Sequence, residues 1–141
     1  LTISTKKSKM FDIQAIPADI QKVINLYRKF SKYSKNTDEE LYYHVLESIK
    51  LKQYKTFEEN NEVIAFANWA FLNKEAENEF IKTKDFSDSD WNSGNNVWVI
   101  DVLSTKNGEK IGRWLKNKFK RFKWMRSDKN FNFYRIGSRG Y

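Results

Sequence analysis

The chain has no cysteine and a single histidine, His44, among its 141 residues. The absence of cysteine excludes disulfides, thiol nucleophiles and thiolate zinc sites. One histidine makes a structural metal site a poor expectation, so no metal and no bound cofactor are expected. No apolar run approaches the roughly 20 residues needed to span a bilayer, and no transmembrane segment is expected. The opening stretch LTISTKKSK lacks the apolar core of a secretory signal. Repeats and linker-like stretches are also missing. These absences lead to the expectation of one cytoplasmic domain over residues 10–141, with residues 1–9 read as a disordered or non-native extension before Met10.

The chain is rich in aromatic and basic residues. Phe 11, Tyr 7 and Trp 5 make up 16% of the residues, and 40% are hydrophobic, which supplies a real core rather than a disordered segment. The richness in Lys, Asn and Ile suits an AT-rich genome of bacterial or phage type. A net charge of +8 implies attraction to an anionic partner: nucleic acid, an acidic protein or a membrane surface. The charge is concentrated in Lys106, Lys110, Arg113, Lys116, Lys118, Lys120, Arg121, Lys123 and Arg126, with Glu109 the one acid among them. A basic helix over 106–126 with Ile111, Trp114, Leu115 and Phe119 turned to the core accounts for this run, either as a solvated face or as a docking surface. Nucleic acid, with Phe122, Trp124 and Phe131 as stacking groups, ranks third among the functional readings. No zinc finger, RNP or helix-turn-helix signature accompanies them, so nucleic acid is not the expected partner.

Pro17-Ala18-Asp19 opens a first helix, since proline in the first turn loses no hydrogen bond. Ile20, Val23, Ile24, Tyr27 and Phe30 follow at helical spacing. After a break at 34–37, Thr37-x-x-Glu40 forms a capping box for a second helix with Leu41, Val45, Leu46 and Ile49 as its apolar face. A strand over 53–58, a turn at Glu59-Asn60-Asn61-Glu62 and a returning strand over 63–72 make a hairpin. A polar helix over 73–82, a loop over 85–96, a strand over 97–104, the basic helix and a last strand over 131–137 complete the order. This mixed order fits an α/β sandwich of two or three layers.

Asp101 stands alone in an apolar strand, between Ile100 and Val102. An unpaired buried charge there costs several kcal/mol, so the residue belongs at a strand end or in a site. His44 lies one position off the apolar stripe of its helix, where a surface or boundary histidine is the ordinary reading. Near Asp101, a neutral imidazole would make a good base, because imidazole titrates near working pH.

Several segments together resemble the toxin-activating lysine acyltransferases: Gln53-Tyr54, Asn68-Trp69-Ala70, Glu77-Asn78-Glu79, Asp90-Trp91-x-x-Gly94, Trp98-Val99-Ile100-Asp101 and Arg126-x-Asp128. The resemblance covers roughly residues 30 to 140. It implies an acetyltransferase-like (GNAT-like) mixed sheet flanked by helices, and an enzyme, commonly a homodimer, that moves a fatty acyl group from acyl carrier protein to a lysine of an acceptor protein. It also implies a catalytic histidine and aspartate. Asp101 matches the aspartate, whereas an ungapped count back from Gln53-Tyr54 puts the histidine at Tyr33. His44, Tyr33 and Asp101 are therefore all candidates for the proton transfer. The alternative is a catalytically inactive binding module on the same scaffold, such as a phage accessory or structural protein. In an acetyltransferase-like fold the turn and helix start at Gly108, Lys110, Gly112 and Arg113 would bind the acyl donor through backbone N–H groups. A plain turn entering a helix explains the same residues.

Overall fold

The computed structural model describes residues 15–127 and 134–141. Helix α1 (Ala18–Tyr27) starts at Pro17, as the proline predicts, and buries Val23, Ile24, Leu26 and Tyr27. A short 3₁₀ turn, Ser31–Tyr33, follows and buries Tyr33. The capping box of α2 (Asp38–Lys50) is formed in full: the Glu40 N–H donates to the Thr37 hydroxyl and the Thr37 N–H donates to the Glu40 carboxylate. The face that α2 buries is Leu41, His44, Val45 and Ser48. This corrects the reading of His44 as a surface or boundary residue. Positions 41, 44, 45 and 48 form a regular i, i+3, i+4, i+7 stripe, and two of its members are polar because they meet polar partners.

Strands β1 (Tyr54–Glu59) and β2 (Glu62–Leu72) form the expected hairpin. Asn60 and Asn61, the two residues between them, both take positive φ, as the tight turns matching strand twist require. Helix α3 (Lys74–Thr83) is capped by Asn73, and β3 (Asn96–Ser104) carries Asp101. Helix α4 (Gly108–Lys118) ends well before the basic run does. The run is split: Phe119 is already extended and Phe122–Ser127 is a strand, β4, which sequence reading had placed inside a helix. The reason is that Phe122 packs into the core beside Ile111 and Leu115 while Trp124 packs against the same cluster, an alternation of period two that only a strand presents. Strand β5 (Tyr134–Arg139) overlaps the expected last strand; residues 131–133 and Asp128 lie outside the described residues.

The five strands run in the order β1-β2-β3-β4-β5, antiparallel except for β3 and β4. Helices α1 and α2 cover one face around Phe66 and Leu103, joined on that side by α3 around Trp98 and Leu72. Helix α4 covers the other face around Trp69 and Val99. The result is a three-layer α/β sandwich. Several motif residues prove to be framework. The Gln53 amide donates to the carbonyls of Trp69 and Trp91, at 2.9 and 3.0 Å, tying β2 to the Trp91 loop. The buried Glu77 carboxylate accepts from the Trp98 indole (2.8 Å) and Lys123 (3.0 Å), pinning α3 to β3 and β4.

Two features of β3 position the site. First, its pairing with β2 slips by one: Asn68 faces Asp101 but Trp69 faces Val99, so Ile100 is an extra residue, a β-bulge. In a regular strand Val99 and Asp101 would share the α4 face. The bulge turns Asp101 to the α1/α2 face with Leu103, because one added residue inverts every later side chain. Second, β3 and β4 pair only at Trp98–Lys123 and Val99–Trp124. Beyond that point no ladder joins them, and a cleft opens at the carboxyl ends of the two parallel strands, where ligands bind in open α/β sheets.

Candidate active site

Asp101 is 7% exposed and gathers three side chains from distant parts of the sequence. Its Oδ2 accepts from the Tyr27 hydroxyl at 2.7 Å and lies 2.7 Å from His44 Nε2. Its Oδ1 accepts from the Tyr33 hydroxyl across a longer 3.4 Å. Its backbone N–H donates to Asn68 Oδ1 (2.9 Å), and the Asn68 amide in turn donates to Ser48 Oγ (3.1 Å). Asn68 thus fills the gap that the bulge opens and ties it to α2. The four rings and the carboxylate form one packed unit, with Tyr27 edge-on to Tyr33, His44 and Phe66.

A carboxylate 2.7 Å from His44 Nε2 requires the proton on that nitrogen, which leaves Nδ1 as the far atom of the ring. Nδ1 is buried and has no hydrogen-bond partner among the described residues. Burial alone would push the Asp101 carboxyl up. The positive field and hydrogen bond of His44, with the Tyr27 hydroxyl, outweigh it and hold the group well below the usual carboxylate range. Burial, reinforced by the nearby carboxylate, pushes the phenols of Tyr27 and Tyr33 far above their ordinary value. Both remain protonated and act as donors.

The cleft has a volume of about 540 Å³, within the range of small-molecule sites. Asp101 and Tyr33 lie in its wall, with Val99 and Ile100 from β3, Leu115 from α4 and Trp124 from β4. His44 does not line it. His44 touches the carboxylate from behind, through the sheet-facing side of α2.

The candidates named from sequence therefore separate. Asp101, His44 and Tyr33 meet at one point. Of the proposed donor-binding group, Gly112 lines the cleft, while Gly108, Lys110 and Arg113 are exposed on α4 and do not. Phe122 is buried and Trp124 turns into the cleft, so neither is an exposed stacking group; Phe131 is outside the described residues. Among the described residues no cluster of His, Cys, Asp and Glu could hold a metal ion, and no helix is long and apolar enough to cross a membrane.

Sequence reading missed Tyr27, Asn68 and Ser48 as site residues. Tyr27 was legible only as one of the apolar stripe of α1. Asn68, a primary amide inside the run VIAFANWAFL, carried the same signal as Asp101: a polar group in an apolar strand.

The depressed carboxyl has a consequence for stability. A group whose folded value lies below its unfolded value, about 3.9 for aspartate, contributes stability that is present above that pH and lost as pH falls through the folded value. The expected result is that the urea midpoint difference between wild type and Asp101→Asn is full at pH 6 and shrinks steadily below about pH 4. A difference that stays constant to pH 3 would mean the carboxylate is not held ionised by its neighbours.

The architecture is that of a GNAT-like domain. The loading GNATL domain of CurA from Lyngbya majuscula superimposes with a TM-score of 0.53 at 11% identity, over 80% of this chain and 62% of that one. A model of the RTX toxin acyltransferase family matches residues 19–133, and the chain belongs to that family. It is 34% identical over 61 residues to the RTX-II toxin-activating lysine-acyltransferase ApxIIC of Actinobacillus pleuropneumoniae. It is 31% identical over 62 residues to the lysine-acyltransferase RtxC of Vibrio cholerae. Each match covers 43% of this chain, and 38% and 40% of the respective relative.

Proposed function

We propose that the protein is a lysine acyltransferase, moving a fatty acyl group from acyl carrier protein to the ε-amine of a lysine on a partner protein. The observation that carries this reading is the buried Asp101, hydrogen-bonded by His44 and Tyr27, in the wall of an apolar cleft where the β3–β4 pairing ends. Family membership supports the same chemistry. The exposed cations of α4, Lys110, Arg113 and Lys116, suit an acidic carrier protein. Lys106 is less suited, since it is held by Glu59 at 2.6 Å.

The reaction joins the amine nitrogen to the thioester carbonyl carbon, passes through a tetrahedral oxyanion, and breaks the C–S bond. The proton lost by the amine ends on the leaving thiolate. At pH 7 only about one lysine in a few thousand is neutral, because its ordinary pKa is about 10.4. Asp101 is too acidic to deprotonate a free ammonium. The lysine releases its first proton to solvent and attacks as the neutral amine. Asp101 is suited to hold that amine in place and to take the second proton after attack, when the nitrogen has become far more acidic, for delivery to the leaving thiolate. His44 and Tyr27 keep it ionised and oriented until then. The Tyr33 hydroxyl, which also lines the cleft and donates to Asp101 Oδ1, is the second polar group at the reacting amine in this reading. The Ile100 amide, taken out of the β2 ladder by the bulge, supplies the backbone donor for the oxyanion in this reading.

The test is incubation of the protein with acyl carrier proteins of several chain lengths and lysine peptides, followed by intact mass. Loss of thioester with a matching mass gain on peptide or protein is expected. If no donor gives thioester loss, self-acylation or transfer, the enzymatic reading fails.

A further inference from the structure

Two glycines shape the cleft wall, Gly112 by lining it and Gly137 by seating the Trp124 indole that lines it, and neither is there for backbone conformation. Gly112 lies in the middle of α4, where glycine is less favourable than alanine. Its φ is not positive, and a Cβ built on it would meet nothing within 4 Å. No neighbour forces glycine at this position; what its missing side chain leaves is open space in the cleft wall. Gly137 in β5 is the reverse case. A Cβ there would stand 2.2 Å from the Trp124 indole, so only glycine lets that ring lie flat against β5. The indole is held further by Phe122 at 5.5 Å between ring centroids and by Arg126 at 5.8 Å. It forms part of the cleft wall contributed by β4.

We propose that Gly112 on α4, and Trp124 seated on Gly137, set the bore of the cleft and so the length of acyl chain the protein accepts. This rests on the acyl-transfer reading for its substrate, but the steric argument concerns the cleft alone. A side chain at 112 takes volume directly. A side chain at 137 drives the indole off β5 into the cleft. Removing the indole enlarges the cleft.

The experiment compares wild type, Gly112→Leu, Gly137→Ala and Trp124→Ala, each checked for a cooperative melting transition. Transfer is measured from octanoyl and palmitoyl carrier proteins in competition. In parallel, octanoate and palmitate displace a fluorescent polyene fatty acid from each protein. Leucine is a better helix former than glycine, so Gly112→Leu tests the bore without threatening the fold. Gly112→Leu and Gly137→Ala are expected to lower the palmitoyl-to-octanoyl ratio by about tenfold or more, since a single methylene in an apolar pocket discriminates by roughly 10–200-fold. Trp124→Ala is expected to shift the ratio the other way. Ratios unchanged in folded Gly112→Leu and Trp124→Ala, in both assays, overturn the proposal. If wild type transfers nothing but the displacement ratios move as expected, the transferase reading fails and the bore assignment stands. If wild type neither transfers nor binds either fatty acid, the bore assignment falls as well.

Discussion

On the proposed acyl-transfer reading, Asp101→Asn is expected to lower transfer by about 10² to 10⁴ per folded molecule, the range that a positioned proton-transfer group contributes. The amide keeps an oxygen for the Tyr27 hydroxyl, but it carries no charge to hold the entering amine and cannot take the proton that the nitrogen releases after attack. The substitution is not silent for stability, because His44 Nε2 at 2.7 Å loses its anionic partner in a buried setting. A loss of about 1–3 kcal/mol is expected from that weakened bonding. Thermal melts and transfer rates normalised to the folded fraction separate the two effects. A large drop in Tm with normalised activity unchanged would make Asp101 a structural carboxylate and no more.

The second large effect is at His44. His44→Ala removes one partner of a buried pair and leaves the Asp101 carboxylate with only phenol donors, at an expected cost of about 3–5 kcal/mol. Transfer is expected to fall with it, because the carboxylate loses the partner that does most to hold it ionised. His44→Gln is the discriminating variant, since its side-chain amide can place an N–H where Nε2 stands. As His44 does not line the cleft, the glutamine variant should recover most of the stability and a measurable part of the transfer, with the acid limb of its pH profile moved up because the amide restores the hydrogen bond without the charge. A glutamine variant that folds as well as wild type yet transfers nothing would show that the imidazole itself moves the proton. An alanine variant that transfers normally per folded molecule would remove His44 from the mechanism altogether.

The local elements were legible in the sequence because local chemistry determines them. Thr37 and Glu40 cap α2 through bonds spanning three residues, and the Asn60-Asn61 turn follows from the ease with which asparagine takes positive φ. Asp101 was visible for a related reason: a lone charge in an apolar strand has no cheap resting place, so it had to have partners. Which partners was not legible. Tyr27, Tyr33 and His44 stand 74, 68 and 57 residues from Asp101 in sequence, and nothing in the spacing of one helix announces the face of another element. The basic run after Lys106 misled for the same reason. Charge spread around a helix and charge alternating along a strand look alike until the core claims Phe122. The deciding event was the bulge at Ile100. One residue inserted against β2 turned the Asp101 side chain from the α4 face to the α1/α2 face, and no composition or periodicity encodes that, because the slip exists only between two paired strands.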